Sequence, residues 1–74
     1  MEELKKIINL ILINRNKKEV SLINETTHLR NDIGFDSLDL AELTVRIESV
    51  YNIDIFEDGI VNTVGEILNK IKKM

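Results

Sequence analysis

Apolar residues in the first fourteen positions fall at Leu4, Ile7, Ile8, Ile11 and Leu12, the three-and-four spacing of one helical face, which predicts a helix over residues 2 to 14. Asn14 to Asn16 end it. From Lys17 to Phe35 no period persists, and Val20, Leu22, Ile23, Leu29 and Ile33 stand as isolated apolar anchors. An irregular connection of about 20 residues is long for a compact domain and points either to function or to a loop ordered by its own side chains. A second helix opens at Asp36 or Ser37, both good N-cap types, and runs to about Tyr51 before Asn52. The stretch Ile53-Asp54-Ile55-Phe56 alternates like a strand but has no partner strand, so it reads as a connector dropping apolar side chains onto the core, with a short helical turn over Glu57 to Val61. Thr63-Val64-Gly65-Glu66 fits a capping box. Val64, Ile67, Leu68 and Ile71 then give the last helix its apolar face, and Lys70, Lys72 and Lys73 suit its negative end. With no proline in the chain, the pattern predicts one all-α domain over residues 1 to 74. It is a small bundle of three main helices plus one short helix, with a long loop between helices 1 and 2.

The second helix carries two apolar stripes. At about 100° per residue from Leu38, the residues Leu43, Ile47, Val50, Leu40 and Tyr51 fall between roughly 120° and 220°, the expected core side. Leu38, Ala41 and Val45 cluster near the opposite side, flanked by Glu42 and Glu48. A helix in a small bundle needs one buried stripe. The second is either a docking face for a partner or the mark of a helix apolar on most sides.

Charge sharpens this picture. The net charge of −3 hides a division in which Lys5, Lys6, Arg15, Lys17, Lys18, Lys70, Lys72 and Lys73 lie toward the ends. Between Glu19 and Asn69 only Arg30 and Arg46 offset eleven acids, leaving −9 on that segment. Such a middle repels nucleic acid and steers basic protein surfaces toward it with a dependence on salt, or else serves solubility. The 74 residues bury a core too small for a deep catalytic cleft, and the absence of cysteine removes disulfides and thiolate metal sites. The apolar run 7–13 is broken by Asn9 and far short of the roughly 20 residues a bilayer needs. A soluble, cytoplasmic, monomeric protein is expected, without stable membrane insertion.

The candidate chemistry is at Ser37. A serine on the first turn of a helix sits where backbone N–H groups favour an anion, so a phosphate attached there is well placed. The plainer alternative is that Asp36 or Ser37 merely caps the helix. A catalytic serine needs a base, an orienting group and an oxyanion hole; His28 is the sole histidine, and no Gly-x-Ser-x-Gly elbow is present. His28 without cysteine makes no zinc site, and Asp36 with Asp39, or Glu57 with Asp58, lacks calcium-loop spacing. These acids read as helix-start and surface charges. Gly34 either lets the chain turn sharply into the helix and leaves room for an approaching enzyme, or is a plain loop glycine.

The run Ile33-Gly34-Phe35-Asp36-Ser37-Leu38-Asp39, followed by Glu42-Leu43 and by Thr63-Val64-Gly65-Glu66 at the last helix, resembles acyl carrier proteins and related phosphopantetheine-binding carrier domains. The resemblance implies that a phosphopantetheinyl transferase moves 4′-phosphopantetheine from coenzyme A onto Ser37, supplying the activating base and magnesium itself. It implies a carrier, not an enzyme, holding acyl groups as thioesters on the arm and sheltering them in the apolar interior. It also assigns Asp36, Leu38, Asp39, Glu42, Val45 and Glu48 to a recognition surface for the transferase and for synthases or transferases with basic docking surfaces.

Three departures set the chain apart from the fatty-acid type. Phe56 stands where proline is common, the segment 57–62 is shorter, and Arg46 puts a positive charge on a usually more acidic helix. They imply a dedicated carrier rather than the housekeeping one, serving a fatty-acid or a specialised lipid or secondary-metabolite pathway. The alternatives are an aminoacyl or peptidyl carrier, or a helical adaptor that binds a basic partner without modification.

Overall fold

A computed structural model describes residues 2–57, 59 and 61–72. Three helices follow in chain order: α1 (Glu2–Asn14), α2 (Ser37–Tyr51) and α3 (Val64–Lys72), and no strand forms among the described residues. All five apolar positions that predict α1 are buried. Asn16 takes a left-handed conformation (φ 57°), the Lys17 N–H returns to the Leu12 carbonyl at 2.7 Å and the Asn16 N–H to the Ile13 carbonyl at 3.0 Å, closing the helix in a Schellman motif. The asparagine that breaks the apolar run has a job here. Asn9 Nδ2 donates to the Val20 carbonyl and its Oδ1 accepts from the Val20 N–H, at 3.0 and 2.8 Å, fastening the start of the long loop to α1.

That loop is ordered by its own hydrogen bonds. Asn24 Oδ1 accepts from the Thr26 N–H, and the His28 carbonyl accepts from both Asp32 and Ile33 N–H. His28, given no role from sequence, organises the turn: its Nδ1 accepts from the Arg30 and Asn31 N–H at 3.2 Å each. Ile23, Leu29, Ile33 and Phe35 drop into the core, whereas Leu22, expected as an anchor, is 82% exposed. The loop is also stitched to the start of α3 by three backbone bonds: Leu29 N–H to Asn62 O, Val64 N–H to Thr27 O and Gly65 N–H to Glu25 O. The first two flank an isolated antiparallel bridge between His28 and Thr63.

One apolar cluster unites the helices, the loop and the connector. Leu43 and Ile47 of α2, Ile55 and Val61 of the connector, and Val64 and Ile67 of α3 are all fully or almost fully buried, each worth about 1.5–3 kcal/mol of apolar burial. Ile53 and Phe56 pack partly against it, as the alternating pattern predicts. Val50 does not: at the margin of the predicted core arc and in the last turn of α2, it is 52% exposed, and Tyr51 supplies the inward contact there. The expected short helix over Glu57 to Val61 includes Asp58 and Ile60, which lie outside the described residues, as does Lys73. The Thr63–Glu66 capping box forms, with the Thr63 N–H donating to Glu66 Oε1 and the Glu66 N–H donating to Thr63 Oγ1.

Candidate functional site

At the start of α2 the capping role falls to Asp36 and not to Ser37. Asp36 is the N-cap: its Oδ1 accepts from the Asp39 N–H at 3.0 Å, and Asp39 Oδ2 accepts from the Asp36 N–H at 3.0 Å, a reciprocal capping box. The hydroxyl of Ser37 is therefore spared from capping. It is exposed on the first residue of the helix and makes no hydrogen bond among the described residues. Gly34 approaches with φ +88°, a backbone conformation that a residue with Cβ rarely adopts, and Gly34 Cα faces open space.

Beneath the serine lies a network that sequence reading missed. The Asp39 side chain is 0% exposed, which corrects its expected place on the recognition surface. At roughly 100° on the helical wheel, beside the core arc, it turns inward. There it meets two cations from the end of α1: Lys17 Nζ at 2.6 Å from Oδ2 and Arg15 Nη1 at 3.2 Å from Oδ1, the latter an ion pair without hydrogen-bond geometry. Lys17 Nζ also donates to the Gly34 carbonyl at 3.1 Å, so one ammonium joins the approach loop to the first turn of α2. Arg15 Nη2 reaches Asp36 Oδ2 at 3.2 Å. The Asp39 N–H above all, then Arg15 and Lys17, hold the Asp36 carboxyl below its ordinary pKa. Nothing within α2 announces these partners, which come from twenty or so residues upstream.

The outer face of α2 is as the second stripe predicts. Leu38 is 68% exposed, Val45 is 67% exposed and Ala41 is exposed between them, with Glu48 at one margin. At the other margin Glu42 is not free: its Oε2 accepts from Arg46 Nε at 2.8 Å, one helical turn on. Among the described residues no cluster of three or more His, Asp or Glu side chains could hold a metal ion, and no helix is long and apolar enough to cross a membrane.

A solvent-facing serine on a helix start, spared by its neighbour from capping and bordered by an exposed apolar face, suits a residue modified by another protein rather than one that does chemistry alone. Residues 5–71 match the family model described as "Phosphopantetheine attachment site". The chain is 34% identical over 71 residues to an acyl carrier protein of Porphyromonas gingivalis, covering 93% of this chain and 90% of that one. It is 31% identical over 75 residues to an acyl carrier protein of Amoebophilus asiaticus, covering 99% and 94%. An acyl carrier protein of Chlamydia felis matches at 31% over 67 residues, covering 88% and 86%. The chain belongs to the phosphopantetheine-attachment family. Its members are carriers rather than enzymes, modified by a phosphopantetheinyl transferase with a covalently attached 4′-phosphopantetheine.

Proposed function

We propose that this protein is a cytoplasmic, monomeric acyl carrier and that Ser37 is the residue bearing the arm. The observation that carries this reading is the division of labour at the helix start: Asp36 caps, and the adjacent hydroxyl is left exposed and unbonded among the described residues. In the modification, Ser37 Oγ forms a bond to the phosphorus of coenzyme A that bears the pantetheine. The phosphoanhydride bond breaks, adenosine 3′,5′-bisphosphate leaves, and the hydroxyl proton passes to a base of the transferase. The product phosphodiester sits on the first turn of α2, where the helix dipole favours its charge. Once attached, the group supplies a thiol that carries acyl cargo as thioester.

The chain's own residues hold and present that point. Asp36 and Asp39 fix the turn, Gly34 sets the approach, and Leu38, Glu42, Val45 and Glu48 form the face that partner enzymes meet. Asp36, half exposed and already held by Arg15, lies at the edge of that face. Shelter for an acyl chain falls to the apolar interior that includes Leu43, Ile47, Val61 and Ile67.

The test is incubation of the apo-protein with coenzyme A, magnesium and a broad-specificity phosphopantetheinyl transferase, followed by intact mass. A gain of one phosphopantetheine in the wild type and none in Ser37→Ala, with an unchanged circular-dichroism spectrum, is expected. No gain, or a gain that persists in Ser37→Ala, overturns the assignment.

A further inference from the structure

The segment around Ser37 is strongly acidic in sequence and much less so in space. Four carboxylates belong to α2 and its cap: Asp36, Asp39, Glu42 and Glu48. Three of them are paired within the molecule, Asp36 with Arg15, Asp39 with Lys17 and Arg15, and Glu42 with Arg46. The Glu48 side chain alone of the four makes no hydrogen bond or ion pair among the described residues. The group of four acids and three bases therefore carries about one net negative charge, far less than an open acidic helix presents. What remains prominent is apolar: Leu38, Ala41 and Val45 in one exposed row.

Resting on the reading of Ser37 above, we infer that the face beside it fits a partner enzyme with an apolar docking groove and a single cation opposite Glu48, not a broadly basic surface. Arg46 is the residue that decides this. Its guanidinium holds Glu42 at 2.8 Å with both side chains about one-third exposed, so it lies at the margin of the apolar row where a partner's charge would arrive. A basic residue facing Glu42 must displace Arg46 or be repelled by it. An apolar groove meets no such penalty and gains the burial of Leu38 and Val45. Selectivity then comes from contact, and long-range steering contributes little.

The experiment measures kcat/KM for phosphopantetheinylation by a transferase with a basic docking surface, between 50 mM and 0.5 M sodium chloride. Wild type, Arg46→Ala, Glu42→Gln and Val45→Ser are compared, each checked for fold by circular dichroism. The wild-type rate should vary by less than about twofold over that range, as befits a nearly neutral face. Arg46→Ala uncovers Glu42 and should raise kcat/KM about two- to fivefold at low salt, the gain vanishing at high salt. Glu42→Gln leaves Arg46 unpaired and should lower it by a similar factor. A pair that merely stabilised the helix would shift both variants in the same direction, so the opposite signs are diagnostic. Val45→Ser should raise KM at every salt concentration with kcat little changed. A steep wild-type salt dependence, equal effects of Arg46→Ala and Glu42→Gln, or a Val45→Ser variant with wild-type KM would each overturn the inference. Failure of the Ser37 assignment gives a different result, namely no mass gain in the wild type at all.

Discussion

Replacing Lys17 by methionine removes the ammonium that lies 2.6 Å from Asp39 Oδ2 and keeps most of the aliphatic stem. The carboxylate left behind is 0% exposed and retains the Asp36 N–H and the Arg15 guanidinium at 3.2 Å. Breaking a fully buried pair costs about 3–5 kcal/mol, because one charge remains uncompensated. Here Arg15 compensates in part and Lys17 is itself about one-third exposed, so the expected loss is about 2–3 kcal/mol. A domain of this size has a total stability on the order of 4–11 kcal/mol, and a urea slope near 1 kcal/mol/M turns that loss into a midpoint lower by about 2–3 M. Urea denaturation followed by circular dichroism reads it directly, with the slope unchanged. The companion variant, Lys17→Met with Asp39→Asn, removes both charges while the amide oxygen introduced by the second substitution can still accept the Asp36 N–H. It should recover to within about 1 kcal/mol of wild type. A single variant with the wild-type midpoint, or a double variant no more stable than the single, would refute the argument that a buried, externally paired carboxylate holds the start of α2.

Two further outcomes follow from the same geometry. Gly65→Ala gains about 1 kcal/mol of helix propensity, but its Cβ would lie 2.7 Å from the Glu25 carbonyl oxygen, and making room costs about 1–3 kcal/mol. The melting temperature should therefore fall, and a rise would mean the loop yields freely. Because Asp36 has its pKa depressed in the fold, its contribution is complete above the ordinary carboxylate value and is lost as pH falls through the folded one. Asp36→Asn, which still caps, should lose less stability on acidification than wild type, as measured by thermal melts across that pH window; parallel losses would contradict the linkage.

The periodic parts of the molecule were legible in the chain. Helix spans, the capping box at Thr63 and Glu66, and the exposed row Leu38, Ala41, Val45 all follow from local spacing, which survives intact in the fold. What escaped were residues whose roles depend on a distant partner. Asp39 and Val50 sit near the same margin of the helical wheel, at roughly 100° and 120°, yet one is buried and the other exposed. Lys17 and Arg15, together with the Asp36 N–H, make burial of the aspartate tolerable. The charge of −9 read along the segment hides local pairing, since linear order does not show that Arg15 and Lys17 fold back onto Asp36 and Asp39. Asn9 and His28, unremarkable in sequence, each satisfy backbone groups of the loop that no pattern of apolar residues could locate.

The middle of the long loop and its ends are fastened by different materials. Near α3 the joints are peptide groups meeting peptide groups, at Glu25, Thr27 and Leu29, and the exposed Glu25 side chain can change without loosening them. Near the serine the fastening is made of Arg15, Lys17, Asp36 and Asp39, where a single exchange of residue is felt at once. Mutational tolerance should thus be lopsided along one short stretch of chain, generous at the Glu25 side chain and narrow beside Ser37.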